Sequence, residues 1–502
     1  MKKKLLAIFL SFLFLAGCTP PAPTLSDGNI TTIPSTENSS QITEEQLYDM
    51  LFDIKNQIHL ELDMSPEELG KIQADYELYD QNGGKSPVYR KADLSVRIIT
   101  PDNQVYHYTV PEVGVRMKGN TSRTDFYSAQ DGIYNLIHLK ISFQETFDKA
   151  EYYGSSATSW TEEERIARKN RTFATLEKMD LRWNRCDDST FVREYFAYQS
   201  YRYHGVLAPN TNLATLNWAG NHMGVFTINE PIDEVFLSKN LPESALGGDL
   251  YKCGWAGYEN ASFQNTNSIG IEDDEKGLFF AYDLKTNKKT STHQSLKNLI
   301  HILNRNGCTA EEIAEVVDMD NFLTFSAVSY LLGNPDDMRN NYNNFYIYFR
   351  ADNGKALLIP YDYDRCLGIT VHWNPTGDAV TSDDPFSTTL NSGNGQQQNP
   401  LILKTIVTDG YYVQEYAEEL RSLANSRWFS FENFSACYHI FYDHYHSQTL
   451  PDRSYNNTRG LQLTFDLNRT SAFSDNRNIS VREYLNTKLA TLHNYLDRLP
   501  KN

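Results

Sequence analysis

Apolar positions recur at helical spacing through residues 44–57 (Leu47, Leu51, Ile54), then at every second position through 58–62 (IHLEL). The pattern predicts a helix followed by a strand. Ser65-Pro66-Glu67-Glu68 has a capping residue, proline at the first helical position and a glutamate three residues on, which starts a helix running toward Tyr76. Alternation predicts strands over 92–99, 104–110, 113–117 and 137–143. Residues 152–169 are polar and read as an insertion with a short helix capped at Thr161. Aromatic residues at helical spacing follow (Phe191, Tyr195, Tyr198), then a hairpin pattern over 212–217 and 223–230 around Ala219-Gly220-Asn221. A polar, acidic loop over 262–276 precedes a mostly helical stretch over 284–306. Another helix is capped at Thr309, and a buried one runs over 321–332. Residues 370–400, rich in Gly, Asn, Gln and Ser, read as a flap or insertion. Helical spacing returns over 401–423, 431–446 and 480–499. No repeat of fixed period is visible.

The chain centres on residues 333–368 (GNPDDMRNNYNNFYIYFRADNGKALLIPYDYDRCLG). Residues 345–350 are aromatic and β-branched, Asp352-Asn353-Gly354 supplies a turn, and 356–360 return as a short apolar strand, which is a hairpin. Asn344 and Asp362 are equally far in sequence from Asn353, so antiparallel pairing is expected to set them side by side, with Asp336 and Asp337 just upstream. Oxygen-bearing side chains converging at one open end are what a hard cation such as Mg²⁺ takes as ligands. Turn-forming and solvated roles are the ordinary alternative for Asn and Asp.

Composition narrows the setting. With 502 residues the chain has room for two or three domains or for one large unit with insertions. A net charge of −18 argues against broad nucleic-acid binding, where a basic face is expected. Lys2, Lys3 and Lys4 precede an apolar run over 5–15, too short to span a bilayer, in the pattern of an export signal. Leu15-Ala16-Gly17-Cys18 resembles a bacterial lipobox, which implies cleavage before Cys18 and its acylation. Loss of the three lysines would take the charge from −18 to −21. Residues 19–43 then read as a flexible tether, rich in Pro, Ser and Thr. The other cysteines (Cys186, Cys253, Cys308, Cys366, Cys437) are widely spaced with no CxxC, so neither a zinc signature nor a disulfide framework is expected.

Five segments occur in order: VGVRMKGNTS (113–122), GVFTINEPID (224–233), GDLYK (248–252), NPDD with NNFYIYF (334–349), and LIPYDYDRCLG (358–368). Together they resemble the CotH kinase family, named after spore coat protein H, over about residues 55–500. The resemblance implies an α+β, divergent protein-kinase-like fold. It would have a mostly antiparallel β portion at about 55–260 and a mostly helical portion at about 280–500, within a domain spanning 44–500. It implies ATP and Mg²⁺ (or Mn²⁺) as cofactors and protein hydroxyls, of Ser or Thr, as acceptors. Asp336 would be the catalytic aspartate, Asp362 and Asn344 the metal ligands, and Lys140 the phosphate-contacting lysine. Gly119, Asn120 and Ser122 would form a covering turn, Arg116 and Lys252 further basic contacts, and Glu230 an adenine-side contact. The link from Asp336 to Asn344 is longer than usual in the family and a second acid follows, so Asn341 or Asn343 stands as an alternative to Asn344, and Asp337 to Asp336. Partners implied are proteins of the spore coat or cell envelope and, through Cys18, the extracytoplasmic membrane face; nucleic acid is not among them. Two rivals are a catalytically inactive, kinase-like binding module and a glycan hydrolase with paired carboxylates. The absence of a clear sugar-binding aromatic pattern weighs against the second.

Overall fold

Alternation along the first half of the chain closes a barrel. The computed structural model describes residues 42–81, 83–119, 122–128, 133–370, 381, 383–386, 399–450, 464–471 and 478–499. The export signal, the lipobox Cys18, most of the tether and nearly all of the 370–400 segment therefore lie outside the described residues. Helix α1 (Glu44–Phe52) is capped by a reciprocal Thr43–Gln46 box. It leads into β1 (Gln57–Asp63), and Ser65 caps α2 (Pro66–Asp80). Strands β2 (Arg90–Ile99), β3 (Val105–Lys118), β4 (His138–Ser142), β5 (Lys178–Trp183), β6 (Thr211–Trp218) and β7 (Asn221–Asn229) complete the barrel in the order β1-β2-β3-β4-β5-β7-β6, with β6 closing parallel onto β1. Leu60, Leu94, Val96, Val115, Ile141, Leu181, Leu216 and Ile228 are buried in its core. Two strands expected at 104–110 and 113–117 are one strand, β3. The register with β2 slips between Ala92 and Leu94, and Glu112 turns left-handed (φ 49°), so the strand bends through the irregularity instead of ending there. Strand β5 breaks an interval in which no strand was expected.

Between β4 and β5 lies α3 (Glu162–Lys169), with the expected Thr161 capping box. Between β5 and β6 lies α4 (Arg193–Tyr203), and after β7 comes α5 (Glu234–Asn240). A second sheet follows, from β8 (Leu250–Cys253), β9 (Ile269–Gly270), β10 (Tyr282–Leu284), β11 (Phe345–Phe349) and β12 (Ala356–Pro360), in the order β9-β10-β8-β11-β12. Every residue of β11 and β12 is buried, because the hairpin is packed on both faces, as its unbroken apolar sequence permits. The long helix expected over 284–306 is shorter. Tyr282–Leu284 is the strand β10, and α6 spans only Gln294–Asn304, starting after His293 in a left-handed conformation. Helix α7 (Ala310–Ala314) has its Thr309 box. Helix α8 (Met319–Leu332), capped by Asp318 and ended by Gly333 at φ 60°, is buried nearly all round. Short α9 (Met338–Asn341) precedes the hairpin, and α10 (Gly410–Asn425), α11 (Phe431–Tyr445) and α12 (Val481–Leu496) complete a helical portion in which α8 touches α4, α10, α12 and β12. The architecture is mixed α and β with a β-rich N-terminal part. Among the described residues no helix is long and apolar enough to cross a membrane.

Candidate functional site

Helix α8 delivers the chain through Gly333 into a loop that an amide holds together. Asn334, fully buried, accepts the Asp336 N–H at Oδ1 (3.0 Å) and donates from Nδ2 to the Asp362 carbonyl (3.1 Å). Asn344 Nδ2 donates to the Asp336 carbonyl at 2.9 Å. Asp336, Asn344 and Asp362 are thus brought together at the open end of the β11–β12 hairpin. They are not cross-strand partners, as equal spacing from Asn353 had suggested. The observed pairing is Phe345 with Pro360, so Asn344 faces Tyr361, whose N–H donates to the Asn344 carbonyl at 3.1 Å, and Asp362 stands one residue further on. The offset arises at the turn. Arg350 N–H donates to Lys355 O, Gly354 N–H to Arg350 O, and Gly354 has φ 72°, which centres the hairpin half a residue before Asn353. Asn344 (φ 55°) and Asp362 (φ 59°) both leave their strands in the left-handed region, which Asn and Asp tolerate better than other residues with a Cβ.

The side chains divide into held and open oxygens. Asp336 Oδ1 accepts from Asn341 Nδ2 (2.7 Å) and Asn343 Nδ2 (2.9 Å), while Oδ2 takes the Arg365 guanidinium (3.0 Å). Burial raises the Asp336 pKa above the ordinary carboxylate value; Arg365 and the two amides only partly offset it. Asp337, the alternative base, is fully buried. It caps α9 through Asn340 N–H (2.8 Å) and accepts the hydroxyls of Ser329 and Tyr363. Asn343, an alternative ligand, has both amide atoms engaged, since its Oδ1 also accepts Trp255 N–H at 3.1 Å. Asp362 Oδ1 pairs with Arg182 of β5. Its Oδ2, and Oδ1 of Asn344, accept no hydrogen bond among the described residues. Burial works to raise the Asp362 pKa, but Arg182 first, then Arg365, outweigh it and hold the carboxyl down at about 2.

Arg182 also reaches Glu194 of α4 (2.6 Å) and Asp364 (3.1 Å). Four carboxylates (Glu194, Asp336, Asp362, Asp364) therefore share two guanidiniums, Arg182 and Arg365. This acidic excess attracts cations. Tyr198 ties the group together, donating to Glu194 Oε1 (3.0 Å) and accepting the Asp362 N–H (2.9 Å). Among the described residues no group of three or more His, Cys, Asp or Glu side chains is placed to hold a metal ion. One open carboxylate oxygen beside one open amide oxygen nevertheless suits Mg²⁺, which keeps several waters and takes phosphate oxygens for the rest.

A basic row flanks these acids. Cross-strand partners share a sheet face. Arg116 opposite Lys140, and Lys140 opposite Asp180, together with Lys118 and Arg182 two residues along, therefore line one face of the barrel. Lys118 pairs with Asp180 and lies 3.3 Å from the Tyr361 hydroxyl; Lys140 is 3.8 Å from Asp180. Lys252 of β8 stands 4.8 Å over the Tyr361 ring. Arg116 donates to Ser86 O (2.7 Å) and pairs with Asp274 (3.3 Å). Gly119 has φ 117°, a conformation that favours glycine, and a Cβ there would displace Ser122 Oγ; Asn120 lies outside the described residues. Glu230 is not brought to this cluster. Its buried carboxylate accepts Asn210 N–H (3.0 Å) and pairs with Lys239 (3.7 Å). Among the described residues the cysteines are free thiols, with Cys186, Cys253 and Cys366 buried.

Sequence reasoning passed over Asn334, Lys118, Asp180, Arg182, Glu194, Tyr361, Asp364 and Arg365. Lys118, Asn334, Tyr361, Asp364 and Arg365 sit inside the quoted motifs. KMDLRW, with Asp180 and Arg182 alternating against Met179, Leu181 and Trp183, carried a readable strand pattern.

Residues 140–492 match the model of the CotH kinase protein family. The chain belongs to this family. The CotH match includes Lys140, Glu230, Lys252, Asp336, Asn344 and Asp362, but it begins after Arg116, Gly119 and Ser122, so it is narrower than the span of about 55–500 expected from the motifs. A relative is the inner spore coat protein H of Bacillus subtilis (strain 168), 26% identical over 190 residues, which are 37% of this chain and 49% of that protein. The chain spans about half the length of this CotH relative.

Proposed function

We propose that this chain is an atypical, protein-kinase-like phosphotransferase that moves the γ-phosphoryl group of ATP to a serine or threonine hydroxyl of spore-coat or cell-envelope proteins, at a bacterial surface to which Cys18 would anchor it. The observation that carries the reading is the pair of open oxygens, Asp362 Oδ2 and Asn344 Oδ1, at the mouth of a hairpin beside Asp336, whose side chain keeps 13% of its surface exposed. CotH family membership and the spore-coat relative support it. In this reading Asp362 and Asn344 hold Mg²⁺ or Mn²⁺, which when bound offsets charge on the phosphates. Lys118, Lys140 and Lys252 face the phosphates, with Arg116, Gly119 and Ser122 beside them; Glu230, buried and paired with Lys239, is left out of the nucleotide site.

Asp336 orients the acceptor hydroxyl and takes its proton as the oxygen bonds to the γ-phosphorus and the bond to the β,γ-bridging oxygen breaks, releasing ADP. Burial suits this role, because a carboxylate with a raised pKa is a stronger base. Positioning and preorganised charge supply most of the acceleration in such transfers. A second reading, a binding module without catalysis, has one observation in its favour: Arg182 already occupies Asp362 Oδ1. Transfer of label from γ-labelled ATP to envelope or coat proteins, with Asp362→Ala as control, separates the two. Signal from the wild type above the variant supports the kinase; equal signal, with no nucleotide binding by calorimetry, establishes the module.

A further inference from the structure

One end of the basic row is covered by the chain's own carboxylates. Residues 271–276, Ile-Glu-Asp-Asp-Glu-Lys, leave β9 and cross in front of cations drawn from four separate places. Glu272 lies 2.7 Å from Lys85, which precedes β2, and 3.4 Å from Lys285, which follows β10. Asp274 lies 3.3 Å from Arg116 of β3 and 3.8 Å from Lys85. The fourth cation is Lys252 of β8. Its register partner across the sheet is Asp283, whose Oδ1 accepts the Glu272 N–H at 2.9 Å. Lys252 in turn stands over Tyr361, the neighbour of Asp362. The cluster therefore runs without a break from the strap to the proposed metal ligands.

The strap is seated by one backbone hydrogen bond and by ion pairs of its side chains. Lys85 N–H donates to Asp274 O at 2.9 Å, and a Cβ on Gly84 would stand 2.8 Å from that oxygen. The ion-paired side chains of Lys85, Arg116, Lys285, Glu272 and Asp274 each keep between 19% and 26% of their surface exposed, within reach of water and competing anions. Burial works to raise the Glu272 pKa, but Lys285, Lys85 and Lys252 hold it well below the carboxylate range, so its charge is kept. With the strap in place, Glu272, Asp274 and Asp283 nearly balance Lys85, Arg116, Lys252 and Lys285. With it lifted, Asp283, opposite Lys252 and paired with Lys285, is the carboxylate that remains among these seven groups, and the excess of positive charge suits a polyanion.

We propose that Glu272 and Asp274 are displaceable stand-ins for phosphate, so that the polyphosphate chain of the nucleotide must lift the 271–276 strap to reach Lys85, Arg116, Lys252 and Lys285. The inference rests on the kinase reading and adds a built-in competitor to it. The test uses the full chain and the Glu272→Gln/Asp274→Asn variant, with Mg²⁺·ATP and inorganic tripolyphosphate as probes in calorimetry. It is paired with hydrogen exchange over residues 269–278 of the wild type. Removing the competitor should tighten binding of both probes by roughly fivefold or more, the lower end of typical coupling, and probe binding should raise exchange in the wild-type strap. If the double variant does not fold, Glu272→Gln alone and the wild-type exchange carry the test. Equal affinities with unchanged strap exchange, while the wild type still transfers phosphate and Asp362→Ala does not, overturn the strap and leave the kinase reading standing. Failure of both chains to bind either probe overturns both.

Discussion

Asp336 and Asp337 are neighbours with opposite circumstances. Asp337 is consumed by the Ser329 and Tyr363 hydroxyls and by the α9 cap. Asp336 is held by amides and Arg365 at the mouth of the cleft. Asp336→Asn should lower kcat by roughly 10²–10⁴-fold and also lower the melting temperature, since its amide nitrogen would face the donors of Asn341, Asn343 or Arg365, whereas Asp337→Ala should leave the chemistry aside and cost about 1–3 kcal/mol of stability in denaturant melts for each buried partner it leaves unsatisfied. The pH dependence has a defined sign. Burial raises the Asp336 pKa, so the acid limb of kcat/KM should lie above the ordinary carboxylate value. Arg365 opposes that rise, so Arg365→Met should move the limb to higher pH in a pH–rate profile. Asp362 behaves oppositely. Its folded pKa is depressed to about 2, so the stability it contributes is present above the unfolded carboxylate value and is lost as pH falls toward 2. Acid titration of the melting temperature should show a loss in that window that is smaller in Asp362→Asn.

At the scale of elements, capping and alternation were legible because they are local. The Ser65, Thr161 and Thr309 caps start helices where their spacing predicts. Asp318→Ala removes the acceptor of Asn321 N–H (3.2 Å) from the buried helix α8 and should cost about 1 kcal/mol, read as a shift in the denaturant midpoint. What failed depended on partners. The left-handed His293 delays α6 although the sequence around it is helix-compatible. The hairpin register was set by a left-handed Gly354, and a shift of one residue there decides which side chain faces which. The functional cluster survived that shift because Asn334 and Asn344 tie the two loops by side-chain hydrogen bonds, which no strand pairing requires.

For the whole molecule, the barrel and the second sheet meet at the acids. Strand β5 carries Arg182 from the barrel to Asp362 and Asp364, just beyond β12 of the sheet, and within the sheet β8 pairs with β11 from 250–253 to 345–348. A ligand binding across this junction should stabilise both parts together. Mg²⁺·ATP at a hundredfold excess over Kd should add about 2.7 kcal/mol, seen as one cooperative rise in melting temperature. Chelation of the metal, or Asp362→Ala, should abolish it. Two separate transitions, with only one responding, would show that the ligand touches a single part.

Local chemistry alone determined the caps, the barrel's alternating strands, the apolar hairpin and the Asp and Asn residues at its mouth, since each depends on side chains within a few positions of one another. Only tertiary structure decided which of those oxygens stay open, that Arg182 and Arg365 are shared among four carboxylates, and that an acidic loop covers the basic row. The reason is distance along the chain. Arg182 meets residues 180 and more positions away, and Lys85 meets Glu272 across 187, so neither pairing leaves a trace in any local pattern.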